Sequence, residues 1–138
     1  MKRIVLDTNV IVSGVVFGGV PEHILESVHA RTVVAVTSSA LIEELLRTLR
    51  QKFSFGDEAL AVIQRRISRA FTVVVPQERL HVLSDEADNR VLEAAVEGNC
   101  EMIVTGDKEF LKLLLFRDIA ILSLRAFCEL SELRFEKT

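Results

Sequence analysis

The chain has 138 residues and a mass of 15.5 kDa, with 49% hydrophobic and 27% charged residues. That length predicts one domain spanning 1–138, and the composition excludes both a disordered chain and a membrane-spanning one. With 17 Lys and Arg against 20 Asp and Glu, the net charge of −3 excludes a protein whose whole surface grips nucleic acid; an enzyme that meets nucleic acid through metal ions remains compatible with it.

The first predicted element is the run Arg3–Leu6, continuously apolar after its first residue, the pattern of a strand covered on both faces. It leads straight into Asp7-Thr8-Asn9. The uncharged run Thr8–Pro21 is too short to span a bilayer and is broken by Asn, Ser, three Gly and Pro. Pro21–Ala30 reads as a helix with Pro at its first position. Val33–Thr37 reads as a second strand, followed by a helix over Ser39–Lys52 with Ala40, Leu41, Ile42, Leu45, Leu46 and Leu49 on one side. Phe53 and Phe55 beside Gly56 are expected to pack a hinge between that helix and the next, Asp57–Arg69. Thr72–Val75 is the third strand. Asp85 is placed to cap a helix running to about Glu97. Met102–Thr105 and Ile119–Leu122 complete the strands, and a short helix is expected over Leu124–Glu129.

Five such strands separated by helices predict a three-layer α/β/α fold with a five-stranded parallel sheet, Rossmann-like in class. In these folds the functional crevice lies at the carboxyl ends of the strands, where the strand order reverses. Asp7 follows the first strand and Asp107 the fourth, through Thr105-Gly106-Asp107. Connecting helices begin at the same edge, which brings Asp88, in the first turn after Asp85, and Glu43 and Glu44, in the second turn after Ser38-Ser39, to it. Acids collected from four distant segments repel one another unless they are partly protonated or a cation sits among them. An all-oxygen set without His or Cys suits Mg²⁺ or Mn²⁺, one ion or two, and not Zn²⁺. Helical geometry puts Glu43 and Glu44 equally far from the apolar stripe; Glu43 has Arg47 at i+4 as an ordinary surface partner, so Glu44 is preferred as ligand. Asn9 and Thr105 are placed to orient ligands or water through hydrogen bonds, or else to serve as a cap and a strand residue.

Charge is unevenly spread. The span Arg47–Arg69 carries six basic and two acidic residues, whereas Pro76–Glu101 carries two basic and seven acidic ones. Arg47, Arg50 and Lys52 on the basic span are candidates for contacting nucleic-acid phosphates, against the plainer reading of a solvated helix face. Cys100 and Cys128 belong to no C-x-x-C pair and have no His at zinc spacing, so they read as small buried hydrophobes in a cytoplasmic chain.

These residues together resemble the PIN domain family. Ile4-Val5-Leu6-Asp7-Thr8-Asn9-Val10-Ile11 is similar to its opening strand, Glu44-Leu45 followed by Thr48-Leu49 to its second motif, Asp85-Glu86-Ala87-Asp88-Asn89-Arg90-Val91-Leu92 to its third, and Ile103-Val104-Thr105-Gly106-Asp107-Lys108-Glu109-Phe110 to its fourth. The resemblance runs from Ile4 to about Leu124. It implies a compact parallel α/β sheet and a ribonuclease in which Asp7, Glu44, Asp88 and Asp107 hold Mg²⁺ or Mn²⁺ and RNA is hydrolysed to leave a 5′ phosphate. The Asp-x-x-Asp-Asn and Thr-Gly-Asp forms are similar to a branch described as toxins of toxin–antitoxin pairs, which implies a small antitoxin partner and a homodimer. A nuclease of RNA processing or quality control, and a non-catalytic module keeping the fold, are the alternatives.

Other enzyme classes fit less well. An aspartyl-phosphate phosphatase of the haloacid dehalogenase type needs a second Asp where Asn9 stands, and a receiver domain needs an Asp after the third strand, where Val73-Val74-Val75-Pro76 has none. Phe17-Gly18-Gly19-Val20-Pro21 lacks the Lys and Ser/Thr of a nucleotide loop.

Overall fold

A computed structural model describes residues 1–131. Its elements run β1 (Arg3–Leu6), α1 (Thr8–Val16), α2 (Val20–His29), β2 (Val34–Ser38), α3 (Ser39–Phe53), α4 (Asp57–Ala70), β3 (Thr72–Val74), α5 (Glu86–Glu97), β4 (Met102–Val104), α6 (Lys108–Leu111), β5 (Leu115–Phe116), β6 (Ile119–Leu122) and α7 (Leu124–Ser131). The sheet order is β3-β2-β1-β4-β6-β5. All pairings are parallel except β5 with β6.

The five expected strands are present, and the sheet is α/β with helices on both faces as predicted. It has a sixth strand as well. β5 is a two-residue antiparallel edge pairing Leu115 with Ala120 and Phe116 with Ile119, too short to leave a periodic signal. α1 also falls where no helix is predicted. Its sequence, TNVIVSGVV, is rich in β-branched residues that disfavour helix. Burial of Val10, Ile11 and Val12 in the core holds it helical, and Asp7 caps it through Thr8 N–H at 2.8 Å.

The continuous apolar runs divide their side chains between two cores. Ile4, Leu6, Ala35, Met102 and Val104 face one core with residues of α1–α4 and α7; Val5, Val36, Ile103, Ile119 and Ile121 face the other with residues of α5 and α6. This period-two split is why the strands read as uniformly hydrophobic. Among the described residues, no single helix is long and apolar enough to cross a membrane; α1 and α2 meet that test only as a pair, bent at 101°. Their buried hydrophobic residues, Val10, Ile11, Val12, Ile24 and Val28, belong to the first core.

From β1 the chain proceeds outward to β2 and β3, then returns to place β4 on the other side of β1. The strand order therefore reverses between β1 and β4, which locates the crevice there. The register Leu6 to Val104 and the bond from Asp7 N–H to Val104 O (2.9 Å) end the two strands level.

Candidate metal centre

Asp7 and Thr105 leave these level strand ends side by side. The Thr105 hydroxyl donates to Asp7 Oδ2 at 2.7 Å and accepts from Asp107 N–H at 3.1 Å. One buried hydroxyl thus ties the carboxylate after β1 to the backbone after β4. Asn9 is exposed, and its side chain makes no hydrogen bond among the described residues. Its neighbour Thr8 reaches across instead, donating weakly to Glu44 Oε2 at 3.4 Å.

Asp85, Asp88 and Asp107 each offer a carboxylate oxygen, and these oxygens lie within 4.8 Å of one another. Asp85 is the member that sequence reasoning missed, having been read only as a cap. It is a cap, accepting from Ala87 N–H at 2.9 Å, and Asp107 likewise accepts from Glu109 N–H at 2.9 Å. Capping engages one oxygen of each carboxylate, Oδ1 in both, and a carboxylate has two. The two readings, cap or ligand, are therefore compatible. The signal that points to Asp85 is its three-residue spacing from Asp88, which puts both at one helix end.

The electrostatics show the strain of collecting these groups. Burial pushes the Asp88 carboxyl up to about 7, and the charges of Asp85, Asp7 and Asp107 push in the same direction. Burial also raises Asp7, against the lowering effect of its bonds to Thr105 and Thr8. Glu44 is half-buried and raised by burial first and by Asp7 second. Glu43 is exposed. The expected Glu43–Arg47 pair is not formed among the described residues, and the positive charge of Arg47 is felt by Glu44. The donor set is all oxygen and crowded, with Asp88, Asp7 and Glu44 raised toward protonation, which fits a hard divalent cation.

Two hollows flank the acids. One, of about 310 Å³, is lined by Glu43, Glu44, Arg47, Glu86 and Arg90; the other, of about 330 Å³, by Asn9, Ser13, Pro21, Gly106 and Asp107. Of the three candidate phosphate contacts, only Arg47 lines either hollow. Arg50 bonds Asp57 at the start of α4, and Lys52 is exposed near the end of α3. Phe53 stacks edge-to-face on Phe17, with centroids 5.8 Å apart, and Phe55 packs against the first core, so both serve the packing role expected of them.

A family model described as PIN domain matches residues 3–109. The uncharacterized protein MJ1680 of Methanocaldococcus jannaschii is 28% identical over 116 residues, covering 80% of this chain and 74% of its own length. Two solved structures share the fold at 14% identity. VapBC2 from Rickettsia felis, bound to a DNA fragment from its promoter, has a TM-score of 0.63 over 88% of this chain and 98% of its own. VapBC-1 from nontypeable Haemophilus influenzae has a TM-score of 0.62 over 90% and 99%.

Proposed function

The chain belongs to the PIN domain family, a family of nucleases, and on that premise we propose that it is an endoribonuclease dependent on Mg²⁺ or Mn²⁺, acting as the toxin of a toxin–antitoxin pair. The observation that carries the reading is the convergence of Asp7, Asp88 and Asp107, with Asp85 and Glu44, at the strand-order reversal with the carboxyls of Asp88, Asp7 and Glu44 raised. The likeness to the VapBC structures supports the toxin assignment and a small antitoxin as partner; a homodimer is part of the same proposal. In this reading residues 1–138 act as one nuclease domain in the cytoplasm.

The chain's residues divide the work. Asp7, Glu44, Asp88 and Asp107 hold the cation, with Asp85 as an additional ligand. When bound, the cation supplies a nucleophile from water at neutral pH and neutralises charge developing on the scissile phosphate. Thr105 keeps Asp7 oriented by its 2.7 Å bond. Arg47 receives a neighbouring phosphate in the hollow beside Glu44.

The test is a mixed RNA pool incubated with the protein in Mn²⁺, in Mg²⁺ and in chelator, with Asp7→Asn alongside. Cleavage that requires the metal and falls at least 100-fold in the variant is expected, by analogy with loss of a single charge-stabilising group. Equal activity in the variant, or activity that survives chelation, would overturn the reading.

A further inference from the structure

Residues 75–85 join β3 to α5 without regular structure. Backbone N–H groups in such a segment must find partners outside any sheet. Here one face of α5 supplies them. Asn89, Glu93 and Glu97 recur every four residues and so form one stripe. Glu97 accepts from Gln77 N–H at 2.9 Å, Glu93 from Leu80 N–H at 2.8 Å, and Asn89 Oδ1 from Val82 N–H at 3.0 Å and Leu83 N–H at 2.8 Å. Asn89 Nδ2 returns a bond to Leu83 O at 2.7 Å, and Arg90 donates to Leu80 O at 3.1 Å and to Glu93 at 2.9 Å. The segment is held to the helix much as a strand is held to a sheet, with side chains in place of the second backbone.

Asn89 has no solvent exposure and ends this ladder two residues from where Asp85 enters the acidic cluster. It also directly follows Asp88 on the helix. We infer that Asn89 is a positioning residue for the metal centre: by clamping Val82 and Leu83 it fixes the approach of Asp85 to Asp88 and Asp107. The inference rests on reading those acids as metal ligands. The task needs an acceptor and a donor on one short side chain. Alanine has neither, and an ionised aspartate would lose the donor and bring a buried charge beside its neighbours. Glu97 makes the same kind of bond at the far end of the stripe, away from the cluster, and so separates positioning from ordinary stabilisation.

The experiment compares Asn89→Ala, Asn89→Asp and Glu97→Ala with wild type, in full-length protein. Amide hydrogen exchange is followed at Ala87 and Asp88, with Val104 as an internal reference, and Mn²⁺ affinity is measured by calorimetry. Both Asn89 variants should exchange faster at Ala87 and Asp88 relative to Val104, and should bind Mn²⁺ about tenfold more weakly, the usual scale for losing an outer support of a metal ligand. Glu97→Ala should speed exchange at Gln77 alone and keep Mn²⁺ affinity within about twofold, the far bond being outside that support. Unchanged exchange at Ala87 in both Asn89 variants, or an equal loss of affinity in Glu97→Ala, overturns the inference. If wild type takes up no Mn²⁺, the metal reading fails, and exchange at Ala87 alone decides whether Asn89 positions Asp85.

Discussion

The carboxyl of Asp88 carries a consequence for stability that its sequence position does not. Its ordinary value is 3.8, and in the folded chain it rises to about 7. Between about pH 4 and pH 7 the unfolded chain has released this proton while the folded chain keeps it, so stability falls as pH rises through that window. Below it both states are protonated and the penalty is absent; above it both are ionised and the penalty is complete. Without metal, the protein should melt lower at pH 8 than at pH 5, by on the order of 5 °C for a chain of this size. Asp88→Asn should flatten the difference, and thermal unfolding across pH measures both. A rise in melting temperature from pH 5 to pH 8 in wild type would contradict the assignment. Asp7 and Glu44 are raised as well and add in the same direction.

Among the elements, α3 shows how far a helix's charges can be told apart once its neighbours are known. Arg47 shares a hollow with Glu44, whereas Arg50 is committed to Asp57. Arg47→Glu should weaken binding of a non-cleavable RNA and reduce the salt slope of log K by about 1, as loss of one phosphate contact does. Arg50→Ala should leave that slope unchanged and cost under about 1 kcal/mol, since its pair with Asp57 is exposed. Filter-binding titrations at several salt concentrations separate the two. From sequence, the basic span suggested all three cations equally, because charge counts carry no direction. The same limit explains what else was legible. β1, β2, β4 and β6 announce themselves through apolar runs, and α5 through its Asp85 cap. α1 does not, because tertiary burial overrides the strand-like propensity of its valines and isoleucine. β5 does not, because two residues have no period. Asp85 was visible as a cap, and only the geometry of the cluster gave it a second role. Glu44 was preferred over Glu43 for want of a cation nearby; the structure turns it toward Thr8 and Asp7 even though Arg47 is close. Counting the acidic excess of residues 76–101 likewise does not reveal that Glu93 and Glu97 accept from backbone N–H groups.

For the whole molecule, the net charge of −3 takes on a different sense. One divalent cation would bring the formal count to −1 and two would bring it to +1, so attraction for phosphate would arrive together with the metal. Binding only to the folded state also stabilises it. Mn²⁺ at 100 times its dissociation constant should add about 2.7 kcal/mol and raise the melting temperature at pH 7.5. Chelator should reverse the rise, and Asp7→Asn should show little of it. Differential scanning calorimetry reads all three, and an equal rise in the variant would place the metal elsewhere on the protein.

The position of β4 has a further consequence in time. This strand lies beside β1 at the middle of the sheet, although nearly a hundred residues separate them along the chain. A ribosome making the protein delivers Asp7, Glu44 and Asp88 before Asp107, and β6 has no strand to pair with until Met102–Val104 docks beside β1. Long-range parallel pairing of this kind is slow to form. The acidic centre is therefore complete only once β4 has joined the sheet and carried Asp107 to the side of Asp7.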